Sequence, residues 1–453
     1  MTKTWQQCII PNCGKKYRIQ EIRTTCDCGE LLDVRYEGNF PQSLKETFRE
    51  RRKRKGDIFN ESGVWRYREL INFVCVDTEN YDDYSQKLVS MDGAEGRTKP
   101  FHLTKVAEYV GMKPENLWLQ FEGYNPTGSF KDNGMATAFT HAKMVGVKKV
   151  ACASTGNTSS SAAAFAANEL DVEALVFVGE GKIARSKLAQ TLAYGAKVIQ
   201  LKGNFDDAML MIKRLAQDRG IYVVNSLNPF RLEGQKTMMY RVLDYMNWEV
   251  PDWIIFPGGN LGNTSAFGKA FIELYDWGLI KTKPRIAVVN ADGAPTLYNL
   301  YNERGMRWNG GDIDNDIIEE YYLELDRKGV KASTKASAIE ILKPVNLKKA
   351  LRTLDFTNGV VTRVSDKDML DSMAMVSRNG FGCEPASAST VAGIKKLVEQ
   401  GEIENDENVV GILTGHMLKD FQSMIDYHYD SRNRYANTPI TVENNLEAIL
   451  KYL

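Results

Sequence analysis

The chain has 453 residues, 43% hydrophobic and 26% charged, and its 58 basic residues are balanced by 58 acidic ones. That composition suits a soluble globular protein of two to three domains, and it leaves nucleic-acid binding without the basic surface it needs. No apolar run is long enough to span a bilayer and Met1-Thr2-Lys3-Thr4-Trp5 is no signal peptide, so neither nucleic acid nor membrane is an expected partner and the cytoplasm is the expected compartment.

Residues 1–38 read as a cysteine-rich, ribbon-like appendage. Cys8, Cys13, Cys26 and Cys28 crowd into it, while Cys75, Cys152 and Cys383 are scattered. In a reducing compartment such crowding favours a metal over disulfides. Cys13-Gly14 and Cys28-Gly29 resemble knuckle turns, in which glycine lets backbone amides face a thiolate. The spacing is irregular: four residues separate Cys8 from Cys13 and one separates Cys26 from Cys28, where a common knuckle pair has about two. Two readings stand side by side, a structural zinc and a ribbon that keeps its cysteines without metal. From Ser43 to Leu88 the pattern is helical and charged, with Arg49 to Lys55 read as a solvated helix end.

Asn125-Pro126-Thr127-Gly128-Ser129-Phe130-Lys131 places a lysine at the start of a helix, behind a Gly-Ser turn. Burial lowers a lysine's pKa, which is what an amine nucleophile or base requires near neutral pH. The alternative is a surface lysine beginning the amphipathic segment Met135 to Val145. From Lys148 onward, apolar runs alternate with helical patterns. The expected strands are 150–153, 174–178, 197–201, 221–225, 253–256, 286–290, 360–364 and 409–413. The helices between them are expected at 159–168, 184–194, 206–218, 233–246 and 264–275. Runs rich in Val and Ile without alternation are buried on both faces, so the fold class is α/β with two parallel sheets. Residues 309–332 read as a long connection or surface helix.

Three strand-to-helix loops carry chemistry. Ser154-Thr155-Gly156-Asn157-Thr158-Ser159 leaves amides free at a helix N-terminus, which favours an anion such as a carboxylate over a simple cap. Pro257-Gly258-Gly259-Asn260-Leu261-Gly262-Asn263-Thr264 lets backbone approach a tetrahedral anion. It has neither the Gly-Lys-Ser/Thr of a P-loop nor the dinucleotide spacing, so a phosphate monoester suits it. Leu413-Thr414-Gly415-His416 ends a buried strand, where ligands sit in such folds. A special lysine, a phosphate cradle, a second anion loop and a polar group behind a ring together describe a pyridoxal phosphate site.

These stretches resemble the fold-type II pyridoxal phosphate enzymes, and within them the threonine synthases, especially the plant-type branch. The likeness rests on Pro126 to Asp132, Ala153 to Ser159, Gly203-Asn204-Phe205-Asp206-Asp207, Asn225 to Lys236, Val250 to Asn263 and Leu413 to Lys419. It covers the chain from about Glu95 onward. The resemblance implies Lys131 as the Schiff-base lysine and catalytic residue, Asn157 on the cofactor's ring hydroxyl, and Thr414 facing the pyridine nitrogen. It implies Gly259, Asn260, Leu261, Gly262 and Asn263 around the cofactor phosphate. Ser154 and Thr155 would take the substrate carboxylate, and Thr158, Asn225, Ser226, Arg231 and Asn260 its phosphate. The implied reaction turns O-phospho-L-homoserine and water into L-threonine and phosphate, in a homodimer. The implied division places 39–135 and 236–453 in a large domain and 136–235 in a small one. Asn133 departs from the pattern, since many members carry arginine there and use it in a local salt bridge. Rival readings are a threonine or serine dehydratase of the same fold and a non-catalytic zinc-ribbon binding protein.

Overall fold

Valine- and isoleucine-rich runs become strands because helices cover both faces of the sheets they form. The computed structural model describes residues 3–169, 171–179, 185–202, 211–212 and 220–453. Near the N-terminus, β1 (Lys3–Cys8) pairs antiparallel with both β2 (Lys16–Tyr17) and β3 (Leu32–Glu37). The large sheet has the order β12-β11-β10-β13-β5-β4 and is parallel except at its β4 edge. Its strands are β4 (Pro100–Phe101), β5 (Leu117–Phe121), β10 (Trp253–Pro257), β11 (Arg285–Ala291), β12 (Val360–Val364) and β13 (Val409–Leu413). The small sheet is parallel, in the order β8-β7-β6-β9, from β6 (Lys149–Ala153), β7 (Glu173–Gly179), β8 (Lys197–Leu201) and β9 (Tyr222–Val223).

The two parallel sheets agree with the expected class, with informative departures. Strand β5, between β13 and the edge strand β4 of the large sheet, has no counterpart among the expected strands, because Gln120 interrupts its apolar run. The run expected at 221–225 pairs only over Tyr222 and Val223. Beyond it, side chains take over: Arg231 Nη1 donates to the Val224 carbonyl at 2.9 Å, and the Asn225 amide brackets the Ala153 backbone. The following helix begins at Pro229 rather than Glu233, since Asn228 accepts from the Phe230 and Arg231 amides and proline suits the first turn. The helix expected at 206–218 and the Gly203 to Asp207 stretch lie outside the described residues.

The segment expected to be helical and charged, Ser43 to Leu88, is largely interior. Trp65, Tyr67, Leu70, Ile71 and Phe73 are buried in the main core. Arg51 is buried as well and pairs with Glu69 at 2.6 Å, so the 49–55 run is not simply a solvated helix end. Helix Lys131–Met144 is likewise buried from Asp132 to Ala142. It is a core helix rather than the amphipathic surface segment that was the alternative reading.

Strand β3 carries a charge into the interior. Asp33 pairs with Lys349 at 3.0 Å and Arg352 at 2.7 Å, all on little-exposed side chains. Burial alone would raise the Asp33 pKa, but Arg352 and Lys349 overcome it and hold the carboxyl well below its usual range. That stabilisation is therefore complete above the ordinary carboxylate pKa and fades only as pH falls below it. Asp33→Asn leaves two cations without their partner, and a loss of about 3–5 kcal/mol in denaturant unfolding at neutral pH is expected.

Candidate active site

The chemistry-bearing loops leave the carboxyl ends of parallel strands: β6 runs into Ser154, β10 into Gly258 and β13 into Thr414. Strand β5 leads through the short turn Glu122–Tyr124 to Lys131, the first residue of its helix. An isolated bridge joins Ser129 to Gly415, and the Phe130 amide donates to the Thr414 carbonyl at 2.9 Å. Lys131 and Thr414 are thereby held side by side although far apart in sequence.

Lys131 is half-buried, and its Nζ lies 3.9 Å from the centre of the Phe130 ring. Among the described residues it makes no ion pair or hydrogen bond. Desolvation pushes its pKa well below the usual lysine range, Arg231 acts in the same direction, and Glu384 only partly opposes them. Both desolvation and Arg231 favour the uncharged amine over the ammonium. Behind it, Asp132 accepts from the Thr127 amide and hydroxyl, both at 2.7 Å, and from Ser161 Oγ at 2.5 Å. These bonds lock the turn that presents the lysine.

The glycine loop is a cradle with no room for larger side chains. A Cβ on Gly258 would lie 2.4 Å from Val288 Cγ1, and one on Gly259 would lie 3.0 Å from Ile339 Cα. Leu261 takes a left-handed φ of 60° at the N-cap of helix Gly262–Asp276. In that helix's first turn, Thr264 Oγ1 and Ser265 Oγ are buried without a partner among the described residues. Orphaned hydroxyls beside free helix amides are what a phosphate would satisfy. Gln235 Nε2 donates to Asn263 Oδ1 at 2.7 Å, and Asn260 Nδ2 donates to Ser226 Oγ at 2.8 Å, tying the loop to the segment carrying Arg231. Adding a methyl in so tight a loop costs about 1–3 kcal/mol. Gly258→Ala should therefore weaken pyridoxal phosphate binding by roughly tenfold or more, read by fluorescence titration.

The Asn157 loop reaches Arg231 through Thr158 and Glu384 through Asn157. Asn157 Nδ2 donates to Glu384 Oε1 at 2.9 Å and Oε2 at 3.2 Å. Burial raises the Glu384 pKa, while Asn157 and Lys419 oppose the rise. The Gly156 amide donates to Ser154 Oγ at 3.2 Å, and Thr155 is half-buried beside it. Thr414 Oγ1 shares a 2.9 Å hydrogen bond with Ser387 Oγ. Arg231 is 1% exposed, donates to Thr158 Oγ1 at 3.5 Å, and leaves its Nε buried without a partner. No carboxylate pairs with it among the described residues. Burial lowers its pKa to about 10, so it is still a cation at neutral pH.

Sequence reasoning missed several groups that complete the arrangement. Glu384, Ser387 and Lys419 reach it from the last third of the chain, and Lys419 Nζ donates to Ser160 Oγ at 2.9 Å. Asp132 was visible only as part of a motif. Asn133 donates to Glu122 at 2.8 Å, and the cation for Glu122 comes instead from Arg241, at 2.8 Å on another helix.

Comparison with known proteins agrees with this geometry. The family described as pyridoxal-phosphate dependent enzyme matches residues 91–415. Threonine synthase of Methanocaldococcus jannaschii is 42% identical over 452 residues, covering 99% of this chain and 100% of that protein. Threonine synthase 2, chloroplastic, of Arabidopsis thaliana is 32% identical, covering 98% of this chain and 83% of that protein. The structure of Escherichia coli threonine synthase shares the fold with a TM-score of 0.67 at 14% identity, covering 99% of this chain and 94% of that one. The half-buried lysine, the cradle and the full-length likeness together place this chain in the pyridoxal-phosphate dependent enzyme family, among the threonine synthases.

Proposed function

We propose that the chain converts O-phospho-L-homoserine and water into L-threonine and phosphate. The observation that carries the substrate choice is Arg231, a buried cation without a carboxylate partner among the described residues, beside Thr158 and one helical turn from Gln235. A guanidinium so placed suits a phosphate ester, and Ser226 and Asn260, bonded to each other, would add polar contacts to it. The Asn225 amide already holds the Ala153 backbone at both ends, which supports a positioning part for this residue in the same pocket.

The cofactor reading follows from the cradle. Gly259 through Asn263, with the Thr264 and Ser265 hydroxyls, would hold the cofactor phosphate. Asn157 would meet its ring hydroxyl, and Thr414 would meet its ring nitrogen. Ser154 and Thr155 would take the substrate carboxylate at the helix N-terminus. When bound, pyridoxal phosphate withdraws electrons from the substrate's α-carbon. The Lys131 amine, whose uncharged form desolvation favours, removes the α-proton and can return protons to neighbouring carbons. A Thr414 hydroxyl carries no charge, so it does not hold a proton on the ring nitrogen as a carboxylate would. Arg231 binds the phosphate and balances its charge as it leaves Cγ.

Phosphate release from phosphohomoserine, with threonine detected as the product, tests this reading. Equal turnover of unphosphorylated homoserine would contradict it, and ammonia release from threonine as the main activity would favour a dehydratase. Two further expectations belong to the reading: a homodimer, checked by light scattering, and a cytoplasmic site of action, checked by cell fractionation. Among the described residues, no helix is long and apolar enough to cross a membrane.

A further inference from the structure

The four N-terminal cysteines come from two separate stretches of chain but converge at one end of the three-stranded sheet. Cys8 ends β1, Cys13 lies in the turn after it, and Cys26 and Cys28 lie in the turn before β3. All four sulfurs lie within 4.8 Å of one another, with Cys8–Cys28 and Cys13–Cys26 each at 3.6 Å. Four thiolates around one zinc with bonds of about 2.3 Å stand about 3.8 Å apart, so the observed spacing is that of a tetrahedral metal site. A disulfide would need sulfurs about 2.05 Å apart. Backbone amides also face the cluster: those of Ile10, Cys28 and Glu30 point at the sulfurs of Cys8, Cys26 and Cys28. Cys8 and Cys26 are buried while Cys28 is exposed, which leaves an entry path for an ion.

The sheet that these cysteines close is built into the catalytic body. Ile9 and Leu31, flanking the cluster, share an apolar core with Ala151, Ala153 and Leu227 of the small sheet and its loops. Strand β3 goes deeper. Tyr36 Oη donates to Glu233 at 2.8 Å, and Glu233 lies on the same helix as Arg231 and Gln235. Glu233 pairs with Lys236 at 2.6 Å and Lys269 at 2.9 Å, and Lys236 reaches Glu273 at 2.5 Å. Asp33 closes the same interior charge cluster from the other side through Lys349 and Arg352. Lys349 Nζ also donates to the Leu32 carbonyl at 2.8 Å. Without β3 in place, Glu233 loses its tyrosine and the cations lose Asp33, directly behind the helix that carries the phosphate-facing arginine.

We propose that Cys8, Cys13, Cys26 and Cys28 bind one Zn²⁺ as four thiolates, and that the metal fixes β3 against the helix Pro229–Tyr245. Binding releases the thiol protons to solvent and leaves a redox-inert tetrahedral centre. The metal acts on the fold and touches no reacting atom. The assignment stands apart from the reaction, because metal content is measured without turnover.

The test is elemental analysis of the full-length protein purified without chelator, followed by hydrogen exchange. One zinc per chain is expected, lost in Cys26→Ser and in Cys28→Ser but retained in Cys75→Ser. If a serine variant is insoluble, wild-type protein titrated with a mercurial reagent should release one zinc to a chromogenic chelator. Zinc-free protein should exchange the amides of helix Pro229–Tyr245 at least about tenfold faster, along with those of the ribbon. Purified protein without zinc that fails to take up the added ion, iron in its place, or zinc retained in both cysteine variants would overturn the site. Zinc loss that leaves exchange in that helix unchanged would overturn the link to β3.

Discussion

Lys131→Ala is expected to abolish turnover while the chain stays folded. The side chain has no ion pair or hydrogen bond to lose among the described residues, and its ring contact with Phe130 is local. Stability by denaturant unfolding should therefore change little. What disappears is the amine proposed to take the substrate's α-proton. Loss of a positioned base alone costs about 10²–10⁴ in rate, and loss of the covalent link to the cofactor adds to that. The visible absorbance given by pyridoxal phosphate on wild-type protein should vanish with the activity. A variant that keeps both the band and the turnover would remove Lys131 from the site. Lys131→Arg should fail equally, since a guanidinium stays protonated and cannot act as the base.

Arg231→Met should separate substrate binding from cofactor binding. A buried guanidinium paired to a phosphate contributes about 2–5 kcal/mol when one partner is removed, so KM for phosphohomoserine should rise by roughly 30-fold or more. Cofactor affinity should change much less, because the cradle belongs to a different helix, Gly262–Asp276. Any activity on unphosphorylated homoserine should be little altered. Equal losses of cofactor and substrate affinity would instead mean that Arg231 acts by holding the Val224 carbonyl, and would withdraw it from the phosphate.

These two residues also differ in how far the sequence revealed them. Lys131 is conspicuous because a cation follows a Gly-Ser turn in an apolar stretch, and the cradle is conspicuous because glycines cluster between a strand and a helix. Arg231 takes its meaning from burial. In sequence only the family resemblance points it at a phosphate, and only the fold shows it desolvated and, among the described residues, without a carboxylate partner. Glu384 and Ser387 were not legible at all, and Lys419 only as the end of the Leu413 to Lys419 stretch. They are ordinary residue types whose parts arise when the end of β13 is brought beside Lys131. Strand β5 was missed for a related reason: Gln120 looks out of place in an interior strand until Thr98 and Glu122 are seen to bond it.

The sequence by itself determined the class of fold, the lysine, the cradle and the kind of cofactor they describe. Those features are local: hydrophobic runs set strands, and glycine and small polar residues set loops at strand ends within a few positions of one another. Tertiary structure alone decided which cation pairs with Glu122, how Asp33 and Tyr36 reach the interior, and that four irregularly spaced cysteines meet within tetrahedral distance. Each of these depends on desolvation and on contacts between segments far apart in the chain, and neither is written into the spacing of neighbouring residues.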